Sequence, residues 1–476
     1  MSDPLLSRTA VLAEQFLASL RERPVGATAT REGLAARLGG ALPAQGLAPL
    51  EVVEGLAAAA NDGGLIASAG PRYFGFVIGG SVPAALAADW LVSAWDQDAG
   101  LYACGPAAAV VEDVAAGWLL DLFGLPASAS VGFVTGGQMA NFTGIAAGRH
   151  AVLARAGYDV EEDGLRGAPP VHVVVGAEAH VTILTSLRLL GLGSGRAVRV
   201  AADGQGRMQV DALRRTLASF DGPTIVCAQA GNVNTGAFDP VGEISDIAHE
   251  HGAWVHVDGA FGLWAAIAPA RAHLFRGVER ADSWATDGHK WLNVPYDSGI
   301  AIVRDRVAHK AAMTGRAAYL VQSDGAERDP QDWTPEFSRR ARGFPVYAAL
   351  RSLGREGLTA LVERCCRLAT HTADRLRAGA AGAGVEVRIL NEVVLNQVLV
   401  RFEPKGGDAG AFTRAVVGRV QREGTCWMAG TRWHELDAMR ISISNWSTTE
   451  EDIDRSAKAI LACARAEAEA KAGGTR

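Results

Sequence analysis

The chain has 476 residues, which at about 150 residues per domain allows roughly three domains. Hydrophobic residues make up 49% and charged residues 21%, an ordinary globular balance that excludes a disordered chain or a coiled coil. Lys and Arg number 46 against 52 Asp and Glu, a net charge of −6 without a long basic run, so a protein whose main task is binding nucleic acid or an anionic membrane is excluded as well.

The opening MSDPLLSRTAVLAEQF carries Asp3 and Glu14 and no basic region before an apolar stretch, so no secretory signal is expected. Leu5 to Leu20 and Leu47 to Ala60 read as helices, joined by a loop with Pro24, Gly26, Gly39, Gly40 and Pro43. The longest uncharged window, 124–148, is broken by Gly, Ser, Thr, Gln and Asn and makes a poor membrane span. Six scattered cysteines without a C-x-x-C pair read as reduced core thiols. No Cys/His spacing suits zinc, and no metal is expected. Together these features predict a cytoplasmic protein.

From Val171 the pattern changes. Short β-branched runs at Val171–Val175, Ala197–Val200, Thr224–Cys227, Trp254–Val257, Ser283–Thr286 and Gly299–Val303 alternate with helical patterns such as Thr182–Leu192 and Gly242–His251. Apolar strands separated by helices indicate a mostly parallel sheet covered on both faces, with ligands beyond the C-terminal strand ends. A long helical pattern follows from Pro345 to Arg377. Strand candidates at Val385–Leu390, Val393–Phe402 and Met439–Asn445 then suggest a smaller α+β domain. The expected division is an N-terminal helical segment over 1–80, a large domain over 81–345 and a small domain over 346–476.

Four segments carry candidate chemistry. Gly136-Gly137-Gln138 opens a helix running to about Ala156, and free N–H groups at a helix start bind phosphate. The other glycine cluster, 191–195, lies between a helix and a strand. That is the reverse of the dinucleotide-binding order, so a nicotinamide cofactor is rejected. His180 follows an apolar strand and precedes a helix; it reads as structural or as a ligand-edge imidazole. Asp258 ends the strand Trp254-Val255-His256-Val257; it reads as a helix N-cap or as an acid that holds a protonated pyridine nitrogen, with Gly259 and Ala260 leaving room for a flat ring. Lys290 lies just past the strand Ser283–Thr286, between apolar strands and beside Trp291. A partly buried amine of this kind can condense with an aldehyde.

In the order Gly-Gly, His, Asp, Lys, these are the parts of a pyridoxal phosphate site. The strings His256-Val257-Asp258-Gly259-Ala260 and Asp287-Gly288-His289-Lys290-Trp291 resemble the group II pyridoxal-phosphate-dependent decarboxylases, the family of aromatic-L-amino-acid and glutamate decarboxylases. The likeness covers about residues 70–445. It implies the fold-type-I, aspartate-aminotransferase-like α/β architecture and a homodimer with shared active sites. By resemblance, Lys290 carries the cofactor, Asp258 pairs with the ring nitrogen and Ala260 lies under the ring. His180 stacks on the ring, and Gly136, Gly137, Gln138 and His289 contact the phosphate. Tyr319, in a loop, reprotonates the substrate carbon, and Phe76, Val77, Leu101 and Tyr102 line the side-chain pocket. The implied reaction is decarboxylation of an aromatic L-amino acid to its amine and CO2. The alternatives are an aldehyde synthase, against which Tyr319 argues, and an aminotransferase, for which Arg440 is the arginine to test. Arg72 is the one candidate countercharge for a polar substrate side chain. The chain departs from the family at Asn232-Val233-Asn234, in place of a Thr-rich run, and at Asp287, in place of an asparagine.

Overall fold

The computed structural model of the protein describes residues 4–315 and 327–473. The chain forms two compact units: Met1–Ile78 with Thr370–Leu390 and Val398–Arg476, and Gly79–Ala369 with Asn391–Gln397.

The first unit begins with three helices, α1 (Pro4–Ser19), α2 (Arg31–Leu38) and α3 (Pro49–Asn61). Helix α2 lies in what reads as a loop. Its N-cap is Thr30, whose hydroxyl accepts the Gly33 N–H, so one capping residue starts a helix among glycines and prolines. None of the three helices buries a residue. The segment after them is tied to the C-terminal part of the chain: Val25 N–H donates to Gly424 O at 2.9 Å and Phe74 N–H to Trp427 O at 2.7 Å. The unit's sheet runs in the order β10-β11-β9-β8, from β8 (Glu386–Ile389), β9 (Gln397–Glu403), β10 (Ala429–Trp433) and β11 (Leu436–Ser442). Helices Ala409–Glu423 and Glu450–Gly473 complete it.

The second unit carries α4 (Pro83–Trp95) and α5 (Pro106–Phe123), then a seven-stranded sheet. Its strands are β1 (Ser130–Val134), β2 (His172–Gly176), β3 (Val198–Val200), β4 (Thr224–Gln229), β5 (Trp254–Asp258), β6 (Ser283–Asp287) and β7 (Gly299–Val303). The order is β1-β7-β6-β5-β4-β2-β3. Strands β2 to β6 pair in parallel, while β7 runs antiparallel to both β6 and β1. All residues of β1, β5, β6 and β7 are buried; β7 is apolar throughout, while β5 and β6 also bury His256, Asp258, Ser283, Thr286 and Asp287.

The register fixes what the sheet edge carries. Gln229 of β4 lies opposite Asp258 of β5, and Asp258 lies opposite Ala285 of β6. The ends of β4, β5 and β6 therefore form one edge. The end of β1 shares it, because β1 and β6 are both antiparallel to β7. Helix α6 (Gly137–Arg155) starts directly after β1 and packs closely on the sheet. A Cβ on Gly144 would come within 2.7 Å of the His256 ring, and one on Gly148 within 2.7 Å of Trp254 Cδ1. These two glycines let α6 approach β5 at van der Waals distance, which brings its side chains to the edge.

The chain after residue 326 is tied to β1 and α5 by a buried ion cluster. Arg339 pairs with Glu112 at 2.6 Å and donates to the carbonyls of Ala99 and Phe133, and Arg328 lies 3.7 Å from the same carboxylate. Among the described residues, no helix is long and apolar enough to cross a membrane.

Candidate active site

Asp258 ends β5 and is 3% exposed. Its carboxylate accepts the Asn141 amide at 3.2 Å and the Ala260 N–H at 3.1 Å. Both donors are neutral. Among the described residues no cationic side chain pairs with Asp258, so its charge is hydrogen-bonded but not neutralised. The negative charge is felt nearby: burial, with a contribution from Asp258, pushes the Cys227 thiol up to about 12.

Asn141 is fixed from behind. A carboxylate only accepts, so the Asn141 NH2 must face Asp258 and its oxygen must face His256 Nε2, 2.9 Å away. His256 therefore carries its proton on Nε2. Burial pushes its pKa down to about 3, so the ring is neutral. His256 Nδ1 lies 2.9 Å from Ser283 Oγ, which accepts the Trp254 indole N–H at 2.9 Å. The chain Trp254–Ser283–His256–Asn141 thus ends on Asp258. Asn141 Nδ2 also reaches Thr182 Oγ1 at 3.3 Å, and that hydroxyl lies 2.8 Å from His180 Nδ1. His180 is the N-cap of helix Val181–Leu189, its Nδ1 accepting the Thr182 N–H at 3.4 Å, which is the structural role expected of it. His180 and Asp258 line one small cavity with Glu178, Cys227 and Gln229.

The start of α6 holds the second cluster. The Gly137 N–H donates to the Asp287 carboxylate in a short hydrogen bond. The same carboxylate lies 2.8 Å from Lys290 Nζ and 3.3 Å from His289 Nε2. His289 Nδ1 accepts the Ser298 N–H at 3.2 Å, and burial pulls the ring's pKa down, so its proton sits on Nε2 and faces Asp287. Ala260 joins the two clusters: its N–H bonds Asp258 and its carbonyl accepts the Asp287 N–H at 2.9 Å.

The second unit thus brings Gly136, Gly137, Gln138, His180, Asp258, Ala260, His289 and Lys290 to one sheet edge. The Gln138 side chain is exposed, and its carbonyl accepts the Ser186 hydroxyl at 3.2 Å. Leu101 and Tyr102 are half-buried in the same unit. Phe76 and Val77 belong to the other unit, with φ of 59° and 88°. That conformation is strained for a β-branched valine. Tyr319 lies outside the described residues. Arg72 is 3% exposed and committed elsewhere: it donates to Thr425 O at 2.7 Å and Arg21 O at 2.6 Å and lies 3.5 Å from Asp452. Asn232 builds a turn, its side-chain oxygen accepting the N–H groups of Asn234 at 2.9 Å and Thr235 at 3.2 Å.

The model of the pyridoxal-dependent decarboxylase conserved domain matches residues 63–402. The chain belongs to this family. It is a pyridoxal-phosphate-dependent amino-acid decarboxylase with the α/β fold expected of one. Over 398 residues it is 32% identical to the L-2,4-diaminobutyrate decarboxylase of Rhizobium meliloti (strain 1021), covering 81% of this chain and 76% of that protein. It is 26% identical over 393 residues to the aromatic-L-amino-acid decarboxylase of Bacillus atrophaeus, with 80% and 78% covered. The crystal structure of Oryza sativa TDC with PLP and tryptamine superposes with a TM-score of 0.88 at 25% identity, over 98% of this chain and 99% of that one.

In this decarboxylase, sequence reasoning assigned no role to Asn141, His256 or Ser283. Their only sequence signal was that His256 sits in a buried strand two residues before Asp258, where a polar ring needs a partner on each nitrogen.

Proposed function

We propose that the chain decarboxylates an aromatic L-amino acid to its amine and CO2, with the cofactor's phosphate at the start of α6 and its ring nitrogen at Asp258. One observation carries the placement: Asp258 is buried, hydrogen-bonded to two neutral donors and without a cationic partner among the described residues. Such a carboxylate favours a cation, and a protonated pyridine nitrogen supplies one. The N–H groups of Gly137 and His289 suit the phosphate, and Lys290 is the amine at the same edge. Bound there, pyridoxal phosphate supplies the electron sink that takes up the pair left when CO2 departs. The chain's own groups do the rest. Asp258 holds a proton on the ring nitrogen, Lys290 holds the aldehyde carbon, and His180 packs on the ring face. Tyr319 delivers a proton to the substrate Cα.

The aromatic reading rests on apolar and aromatic side chains. The residues that the family likeness assigns to the pocket, Phe76, Val77, Leu101 and Tyr102, are all apolar or aromatic. Arg72, bound to Asp452 and two carbonyls, is not free to meet an acidic substrate. The likeness to the diaminobutyrate enzyme supports a second reading, a cationic side chain. A homodimer fits the first unit, where Leu6, Val11, Leu17, Leu50, Val52 and Leu56 are exposed on helices that bury nothing. We place the enzyme in the cytoplasm on its free cysteines. An aminotransferase is the other reaction open to this fold, and Arg440 is the arginine to vary in testing it. Product analysis separates those reactions.

The test is to incubate the holoenzyme with each L-amino acid and measure CO2, amine, aldehyde and peroxide. An aromatic substrate should yield amine and CO2 in equal amounts. Tyr319→Phe should still release CO2 but shift product to aldehyde. The balance is then amino acid, O2 and water giving aldehyde, CO2, ammonia and H2O2. Unchanged amine yield would remove Tyr319 from proton delivery. Turnover of diaminobutyrate alone would replace the aromatic reading with the second one.

A further inference from the structure

Asp287 stands where the proposed site needs room for an anion. Its carboxylate takes the N–H of Gly137 at the first turn of α6, the Nε2–H of His289 and the Nζ of Lys290. Those are the donors that the proposed site offers the phosphate. Asp287 is 2% exposed, so water does not screen it. The chain therefore carries a built-in anion on its own phosphate cradle.

The charges around Asp287 are few. Lys290 is the one cation among the described residues that pairs with it. His289 is held neutral by burial. Asp297, beyond His289, is itself paired with Arg342 at 2.6 Å. Strand β5 contributes another carboxylate, Asp258, and His256, which burial holds neutral; strand β7 has no charged residue, and neither does the first turn of α6. The Trp264 indole N–H donates to the Asp287 backbone carbonyl at 2.9 Å and leaves the side chain untouched. A phosphate dianion placed on these donors would face an ionised carboxylate in a buried site whose single cation is the amine that the cofactor itself uses. Two anions sharing one set of donors favour the state in which one of them takes a proton.

From this arrangement we infer that phosphate binding is proton-linked at Asp287: the carboxylate takes one proton from solvent as the cofactor enters and then donates that proton to a phosphate oxygen. Asp287 is thereby a determinant of cofactor affinity. It makes the cofactor looser as pH rises and ties its retention to pH in a way that an amide at this position would not. The inference rests on the cofactor placement proposed above.

The test uses apoenzyme, wild type and Asp287→Asn, titrated calorimetrically with pyridoxamine 5′-phosphate between pH 7 and 8.5. This probe has the ring and phosphate but no aldehyde, so it does not condense with Lys290. Above pH 7 its phosphate, with a second pKa of about 6, stays a dianion. The wild type should lose close to tenfold more affinity per pH unit than Asp287→Asn does. It should also take up about one more proton per site, read from the heats in two buffers of different ionisation enthalpy. At pH 8.5 the variant should bind at least roughly tenfold tighter. Parallel pH profiles, or weaker binding by the variant, would overturn the inference. Sulfate, a dianion that does not titrate in this range, gives a readout that needs no variant. As a competitor of the probe on the wild type it should weaken steeply as pH rises, and a flat profile would overturn the inference too. Loss of all probe binding by the wild type would instead sink the placement of the cofactor at this edge, and the inference with it.

Discussion

Lys290→Ala will lower turnover by on the order of 10⁴-fold or more while leaving the fold intact. The lysine lies three residues past the end of β6 and its side chain is 22% exposed, so its removal opens no core cavity. The structural loss is one ion pair, with Asp287 at 2.8 Å. Asp287 keeps the Gly137 and His289 N–H groups, so the melting temperature should fall by no more than about 10 °C. The expected result is an enzyme with native circular dichroism that still binds pyridoxal phosphate, more weakly, without the absorbance of a lysine-linked cofactor. Residual turnover within tenfold of wild type would mean that another amine does this work.

Asp258→Asn will cut the decarboxylation rate by roughly 10²- to 10³-fold and change cofactor affinity by less than about tenfold. The two effects separate because the phosphate donors lie on α6 and after β6, whereas Asp258 lies on β5. An amide at 258 keeps the shape and can still accept the Ala260 N–H. It removes the charge that holds a proton on the ring nitrogen, and with it the stabilisation of charge developing in the transition state. Steady-state kinetics together with a fluorescence titration of the cofactor measure both. A variant with normal turnover would show that the ring nitrogen is held by another group.

Much of the fold was legible because buried parallel strands leave a strong local signature. Val171–Val175, Thr224–Cys227 and Gly299–Val303 are strands within a residue or two of their expected bounds. Two strands left little trace. Strand β1, Ser-Val-Gly-Phe-Val, has a glycine at its centre and runs almost straight into a Gly-Gly turn, and β10, Ala-Gly-Thr-Arg-Trp, has no consistent alternation. Their pairing with β7 and β11 decides them, and pairing is a long-range property.

The candidate site shows the same division. Lys290, Asp258, His180 and the Gly-Gly turn were legible because each sits at a strand end or helix start that the local pattern marks. The support behind them was not. Asn141 meets His256 across 115 residues of chain, and Gly137 meets Asp287 across 150. No local period encodes such contacts. They arise from the close packing of α6 on β5 and β6. The sequence marked Asp287 as an unusual anion beside the phosphate, but only the packing shows it seated on the N–H that starts α6.

The most direct test of the account is chemical. The holoenzyme should be reduced with borohydride, digested, and its labelled peptide sequenced. The account predicts loss of the visible absorbance on reduction and a single phosphopyridoxyl label on Lys290, in the peptide containing Asp287-Gly288-His289. A label on any other lysine, or none after reduction, would contradict the placement of the cofactor at this sheet edge.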